Sequence, residues 1–199
     1  MKQPIIVAPL SSLHFPATQR LHIIETVCQL ERIEYGEGKH RLPHVFSGLV
    51  AKNDDGLICA MDGDKLVGYA DVWQLQERFY NQLLYGVRAE EEIYADCVLS
   101  KNEPDTGYWY IGSIITDPTF RMNCAYQAAQ TFSEILRQAY VYFEKVRPPA
   151  KVMGVGSTEF GKKLLGQHGF KPITPSPKAI DLRPRFENCL IELELELEH

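Results

Sequence analysis

The chain has 199 residues, of which 45% are hydrophobic and 24% charged, and its formal net charge at pH 7 is −5. This composition is typical of a soluble globular protein, and the length suits one domain with a full hydrophobic core. The basic residues are scattered and outnumbered by acidic ones, so we expect no nucleic-acid partner, and no apolar run is long enough to predict a membrane span.

The N-terminus and the cysteines bear on the cellular compartment. MKQPIIVAPLSS holds two prolines in a short apolar run, which makes a poor secretory leader. The cysteines lie far apart with no C-x-x-C pair, at Cys28, Cys59, Cys97, Cys124 and Cys189. This set is typical of reduced thiols, so we predict a cytoplasmic protein. Leu-Glu-His at 197–199 resembles the start of an expression tag, which leaves 1–196 as one predicted domain.

The first third of the chain predicts a strand, two helices and a hairpin. QPIIVAPL is a short strand, and a helix is expected over 17–35. Its apolar stripe passes through Leu21, Ile24 and Cys28, with Glu31 at the next step. A shorter helix is expected near 44–52, after YGEGKHRLP. LICAM and KLVGYADVWQL then flank Asp-Gly-Asp, and Asp-Gly is a strong hairpin signal.

Residues 76–107 form a charged and aromatic insertion that includes RAEEEIYADCVLS. A structureless loop of that length would be unusual, so we expect local secondary structure or a lid. The acidic run Glu90–Glu92 is interpreted as a solvated face, with attraction of an amine substrate as the alternative. GYWYIGSIIT, which follows, is aromatic and β-branched with few charges, and it predicts a strand buried on both faces.

A long helix is the most clearly patterned element of the second half. After the strand, TDPTFRMNC is interpreted as a loop, and the helix is expected to begin near Ala125 and to end at RPPA. The residues that step by three and four along its predicted buried face are Ala125, Ala128, Ala129, Phe132, Leu136, Ala139, Tyr140 and Phe143.

The C-terminal part completes a mixed α/β pattern. KVMGVG, STEFGKKLLGQHG and FKPI predict a strand, a helix with a Ser or Thr cap, and a short strand. In NCLIELELE, Ile191, Leu193 and Leu195 alternate with glutamates, as in a half-buried strand. A hairpin followed by strand–helix–strand–helix predicts a mixed sheet. The final strand has an edge with which a second subunit could pair, which leaves a homodimer open.

Three stretches resemble the Gcn5-related N-acetyltransferase (GNAT) superfamily. SIITDPTFRMNCAYQAAQTF is similar to the family's strand and phosphate motif, in which proline, an aromatic residue and arginine precede Arg/Gln-x-x-Gly-x-Gly/Ala. GVGSTEFGKKLLGQHGFKPI is similar to the family's helix ending in Gly-Phe, and the DGDKLVGYADV hairpin lies at the right distance upstream. The resemblance implies a central mixed, mostly antiparallel sheet flanked by helices. It also implies transfer of an acetyl or other acyl group from acyl-CoA to an amine by direct attack.

The resemblance also implies where coenzyme A binds. The amides at a helix N-terminus suit a diphosphate, and the implied phosphate residues are Arg121, Met122, Asn123, Cys124, Ala125 and Tyr126. Cys124 and Tyr126 stand where the family has small residues, and the Tyr126 ring would either block the cradle or stack near the ligand. Backbone groups of Ile114 and Thr116 are implied to bind the thioester arm, with the Ile114 amide as oxyanion donor. Thr158 corresponds to an Asn that bonds the coenzyme, and a plain helix cap is its alternative role.

The catalytic positions of the family are less well matched. The frequent general-base carboxylate corresponds to Tyr110, whose phenol is a weak base at neutral pH and could act through water, and packing on the sheet is the interpretation that we favour for that ring. Asp96 or Glu92 in the insertion would then serve as the base. The family's usual general acid, a tyrosine, corresponds to Leu165, so no proton donor for the leaving thiolate is implied there.

Two functions therefore stay open. The first is an acyl-CoA-dependent N-acyltransferase with a small-molecule or peptide amine as acceptor. The second is a non-catalytic module of the same fold that binds CoA, another small ligand or a protein partner. No metal is expected, because His40 and His44 have an i, i+4 spacing but Pro43 and the lack of a nearby third ligand argue against a site.

Overall fold

The computed structural model describes residues 4–104, 106–144 and 151–189. The strands are β1 Ile6–Pro9, β2 Leu57–Asp62, β3 Lys65–Gln74, β4 Tyr108–Thr116, β5 Lys151–Val155, β6 Lys171–Ile173 and β7 Arg185–Cys189. The α-helices are α1 Ala17–Tyr35, α2 Pro43–Lys52, α3 Glu77–Leu84, α4 Pro118–Asn123, α5 Ala125–Glu144 and α6 Glu159–Gln167. The seven strands follow the order β1-β2-β3-β4-β5-β7-β6. Because β4 and β5 are parallel and β1–β2, β2–β3, β5–β7 and β6–β7 are antiparallel, the predicted mixed, mostly antiparallel sheet is confirmed.

The chain divides into two compact units. Unit 1 comprises the described residues of Met1–Val72 and Ser113–Lys145, and unit 2 those of Trp73–Gly112 and Val146–His199. Strands β3 and β4 contribute residues to both. The assignment of residues 1–196 to one domain stays a prediction.

In unit 1, helix α5 packs against β1 and β2, and α1 packs against α2. Glycine permits a close approach in β3, because a Cβ at Gly68 would lie 3.0 Å from the carbonyl oxygen of Ile115 and 3.1 Å from Cδ1 of Ile135 in α5. A side chain at that position would force the helix or β4 away from the strand.

The buried face of α5 differs from the predicted one. Ala128, Thr131, Ile135 and Ala139 are buried, whereas Ala125 and Ala129 are exposed. Alanine suits either face of a helix, so the alanine-rich pattern carried little directional information and the predicted stripe was displaced around the axis. In α1 the bounds 17–35 are confirmed, but Leu21 is 50% exposed and therefore lies off the buried stripe.

In unit 2, α3 packs against β7 and α6 packs against β5. The expectation of local structure in the 76–107 insertion is confirmed by α3 and by a 3₁₀ turn over Glu90–Glu92. The predicted helix end at RPPA, the alternation of Ile191, Leu193 and Leu195, and the tag-like residues 197–199 lie outside the described residues.

Three cysteines, Cys28, Cys59 and Cys97, are buried and free, and burial raises the pKa of the Cys28 and Cys59 thiols to about 12. Thiols of this kind are unreactive hydrophobic residues at neutral pH.

Within the described part of the chain, no helix has both the length and the apolar character that crossing a membrane requires.

Replacing Gly68 with alanine should lower the free energy of unfolding by about 1–3 kcal/mol, because the new methyl group meets the β4 backbone and Ile135. Gly166 in α6 is the matched control, since nothing lies within 4 Å of a Cβ there. Alanine at position 166 should raise stability by about 0.5–1 kcal/mol through helix propensity. Chemical denaturation measures the free energy of unfolding of both variants, and a change of the same sign in both would contradict this prediction.

Candidate functional site

At the end of β4, some backbone amides face β3 and the amides of Ile114 and Thr116 face the opposite, open edge. The Asp117 N–H donates to the Val67 carbonyl at 2.9 Å, and the Ser113 N–H donates to the Asp71 carboxylate at 2.6 Å. These two amides face β3, and because successive amides of a strand point to opposite edges, those of Ile114 and Thr116 face away from it. The described pairing of β4 with β5 ends at Ile111. Within the described residues, no strand pairs with that edge of β4 beyond this point.

The segment between β4 and α5 is a helix and not the loop that the sequence predicted. Helix α4 begins at Pro118, and the Asp117 carboxylate caps it by accepting hydrogen bonds from the amides of Thr119 at 2.7 Å and Phe120 at 3.1 Å. Burial alone would raise the pKa of Asp117, but these hydrogen bonds and Lys65 outweigh it and lower that pKa below its ordinary value. Asp-Pro is a helix-start signal, and it was the available sign of α4.

Helix α5 begins at Ala125, with one residue between it and the end of α4, and its first backbone amides point out of its N-terminal end. The Cys124 N–H donates back to Phe120 in α4, and the Cys124 carbonyl accepts the first bond of α5 from Ala128. For the amides of Ala125 and Tyr126 there is no acceptor among the described residues. Together with the positive end of a 20-residue helix, they form a place where an anion is stabilised.

The Tyr126 ring does not fill this helix end. Tyr126 is 76% exposed, and its hydroxyl accepts a hydrogen bond from the Gln130 side chain, one turn further along α5, at 3.0 Å. The ring therefore lies on the outer surface of the helix. Met122, at the end of α4, is also strongly exposed.

Arg121, the cationic residue of the implied phosphate motif, already has a carboxylate partner. Its Nη2 lies 2.9 Å from Oε2 of Glu34 in α1, while 45% of its side chain stays exposed. The sequence did not predict this pair, because Glu34 and Arg121 lie on separate helices far apart in the chain. A diphosphate that used Arg121 would compete with Glu34 for the guanidinium.

A buried ion cluster lies beside β4 in unit 1. The Arg41 guanidinium bonds both oxygens of Asp71, at 2.6 and 2.9 Å, and also bonds Glu31, and all three residues are buried. The Arg41 backbone amide donates to Glu31 Oε2 at 2.9 Å, and the Ser113 hydroxyl donates to Glu31 Oε1 at 3.2 Å. The helical step that placed Glu31 on the apolar stripe of α1 was the one sign of this cluster in the sequence.

In unit 2 the candidate base Tyr110 is fully buried, and its hydroxyl donates to the Glu90 carboxylate. Glu90 and Glu91 in turn bond Arg183, at 3.1 and 2.9 Å, and Asp181 bonds the same guanidinium at 2.6 Å. The interpretation of Glu90–Glu92 as a solvated face is therefore wrong for Glu90 and Glu91. The residue that pairs with them, Arg183, is more than ninety positions away and left no local signal.

The other predicted site residues of unit 2 are placed as follows. Glu92 and Asp96 are exposed, with a Glu92 oxygen accepting from the Ala89 amide at 3.1 Å. Thr158 caps α6 by accepting from the Gly161 amide at 3.0 Å. Leu165 packs on β5, where a Cβ on Gly154 would lie 2.9 Å from Leu165 Cδ2. Among the described residues there is no group of three or more His, Cys, Asp or Glu side chains that could hold a metal ion.

Comparisons with known proteins identify the fold. No family model matches the sequence, and no curated protein is detectably similar to it in sequence. Among solved structures, a GNAT-family acetyltransferase from Staphylococcus aureus Mu50 superposes with a TM-score of 0.58 at 10% identity, covering 94% of this chain and 99% of that one. The loading GNATL domain of CurA from Lyngbya majuscula gives a TM-score of 0.61 at 12% identity, covering 96% of this chain and 100% of that one.

A mosquito arylalkylamine N-acetyltransferase-like 5b protein gives a TM-score of 0.59 at 12% identity, covering 94% of this chain and 100% of that one. These likenesses span nearly the whole of each chain. The chain therefore has the GNAT fold, as the sequence motifs implied, and identity at this level establishes the fold alone.

Proposed function

We propose that this chain, which has the GNAT fold, is an N-acyltransferase that transfers an acetyl or other acyl group from acyl-CoA to an amine. The observation that carries the proposal is the pair of unpartnered backbone surfaces in unit 1. One is the edge of β4 at Ile114 and Thr116, and the other is the first turn of α5 at Ala125 and Tyr126. Both present N–H donors, which suit a thioester arm and a diphosphate respectively.

In the proposed reaction a neutral amine attacks the thioester carbonyl carbon, so that a C–N bond forms and the C–S bond breaks. The carbonyl oxygen becomes negatively charged, and the Ile114 amide would donate a hydrogen bond to it. Holding the amine and the thioester together supplies a large part of the rate. The coenzyme leaves as a thiolate.

The proton of the attacking amine needs an acceptor. Tyr110 is the position that the resemblance implies, and because its side chain is fully buried, the proton would reach its hydroxyl, and the Glu90 carboxylate bonded to it, through water. The exposed carboxylates of Asp96 and Glu92 are the other candidates. For the leaving thiolate we assign no protein donor, because Leu165 stands at the position of the family's tyrosine and water is the remaining proton source.

Three contacts favour the second candidate function, a binding module without catalysis. Arg121 is paired with Glu34, the Thr158 hydroxyl is used as a helix cap, and Leu165 covers Gly154. The first two contacts engage side chains at positions that the resembled family uses to bind the coenzyme, and the third shows an apolar side chain packed where the family has its tyrosine acid. We rank this function second because the backbone donors of the proposed site do not depend on those side chains.

Two measurements test the proposed function in order. Acetyl-CoA and longer acyl-CoAs should raise the melting temperature of the protein, because a ligand that binds only the folded state stabilises it. Thiol release from acetyl-CoA should then depend on an amine from a panel of arylalkylamines, polyamines and peptides. Binding without amine-dependent release would favour the module, and no shift at millimolar acyl-CoA would overturn both readings of the coenzyme site.

A further inference from the structure

The Asp71 side chain reaches the backbone of β4 next to the proposed oxyanion donor. Its Oδ1 accepts the Ser113 N–H at 2.6 Å, and Ser113 directly precedes Ile114. Asp71 is fully buried, and Arg41 holds both of its oxygens, at 2.6 and 2.9 Å. The carboxylate therefore has one orientation, which is set by a bidentate guanidinium.

A second bond joins β4 to β3 four residues after Ser113. The Asp117 N–H donates to the Val67 carbonyl at 2.9 Å. The contact at Ser113 and this bond together fix the direction of the backbone amides between them, including that of Ile114.

We propose that Asp71, oriented by Arg41, is a positioning residue that holds the β4 backbone at Ser113 so that the Ile114 amide faces the reacting carbonyl. The inference rests on the proposed acyltransferase function. Asp71 touches no reacting atom and acts through the Ser113 amide. Glu31 belongs to the same ion cluster but bonds Arg41 and the Ser113 hydroxyl, and it does not bond the β4 backbone.

This difference supplies a matched pair of variants. Asp71→Ala and Glu31→Ala each remove one buried carboxylate and leave Arg41 with the other, so both should lower the melting temperature. Asp71→Ala alone removes the acceptor of the Ser113 amide. Its kcat with acetyl-CoA and the best amine of the panel should fall roughly 10- to 100-fold, with the dissociation constant for CoA within about 3-fold of wild type. Glu31→Ala should leave kcat within about 3-fold of wild type.

Asp71→Asn is the conservative rescue. Its amide oxygen can still accept the Ser113 N–H, so kcat should recover most of the loss seen in Asp71→Ala, although the lost pairing with Arg41 lowers the melting temperature. Equal kcat losses in Asp71→Ala and Glu31→Ala, or a loss that tracks melting temperature across all three variants, would overturn the proposal.

A second readout is independent of turnover. In ¹⁵N-resolved NMR spectra the Ile114 amide signal should shift in Asp71→Ala and shift less in Glu31→Ala, because Glu31 bonds the Ser113 hydroxyl and not the Ser113 amide. In the wild-type protein the Ser113 amide should be protected from hydrogen exchange, and rapid exchange there would overturn the proposal even if Asp71→Ala does not fold. If the wild-type protein neither binds acyl-CoA nor releases thiol, the proposed function has failed. The NMR comparison then still decides whether Asp71 sets the β4 backbone.

Discussion

Replacing Arg41 with alanine should lower the free energy of unfolding by about 3–5 kcal/mol, the largest stability effect that we expect of a single substitution in unit 1. Arg41 is the cation between two buried carboxylates, Glu31 and Asp71, and its side chain is 3% exposed. Without it, two negative charges would stay buried without their main compensating charge. The ring of Phe46, 4.7 Å from the guanidinium carbon, would also lose a contact.

Urea denaturation of three variants measures this effect. Arg41→Lys keeps a positive charge but not the planar bidentate geometry, so its loss should be intermediate. Arg137→Ala is the control for a surface pair, because Arg137 bonds Glu134 on α5 with 58% of its side chain exposed. Exposed pairs contribute about 0–1 kcal/mol. A loss in Arg41→Ala no larger than that in Arg137→Ala would mean that the cluster does not stabilise the fold.

Replacing Ala125 with aspartate should abolish most of the binding of CoA while leaving the protein as stable as before, or slightly more stable. Ala125 is the first residue of α5 and is exposed, so the new side chain meets no buried group. A carboxylate in the first turn interacts favourably with the helix dipole, by about 0.3–1 kcal/mol. The same charge would occupy the amides proposed for the diphosphate and repel it, which costs roughly 2–3 kcal/mol of binding, or about 30- to 150-fold in the dissociation constant.

Two control variants distinguish the effect of where the new charge lies from the effect of the added charge itself. Ala125→Asn has nearly the same shape without the charge, so its affinity should stay closer to that of the wild-type protein. Ala129→Asp carries the same charge one turn further along α5, also at an exposed position, where the helix amides are already bonded. Isothermal titration calorimetry with CoA compares all three. If Ala129→Asp weakens binding as much as Ala125→Asp, net charge is responsible and the helix end is not the diphosphate site.

Local sequence patterns predicted most elements because they depend on near neighbours. The bounds 17–35 of α1, the start of α5 at Ala125 and the hairpin around Asp-Gly-Asp all follow from capping residues, turn residues and spacing. The misses have physical causes as well. Helix α4 was predicted as a loop because its 6 residues are too few to show a helical period, although Asp117 and Pro118 are a strong helix start. The alanines of α5 suited either face, so only the packing of Ile135 near Gly68 decided which face is buried.

In the candidate site, too, some features could be predicted from the sequence and others were decided by tertiary structure. The sequence predicted the strand and the start of the helix, because both depend on local patterns, whereas the backbone donors around Ile114 and Ala125 were implied by the family resemblance and stay a prediction. Whether the Tyr126 ring blocks the helix end depended on where a flexible side chain settles, and the fold places it on the outer surface beside Gln130. The charge partners Arg41–Asp71, Arg121–Glu34 and Arg183–Glu90 were decided by tertiary structure alone. An ion pair forms wherever folding brings opposite charges together out of water, and residues 30 to 93 positions apart leave no periodic trace of it in the chain.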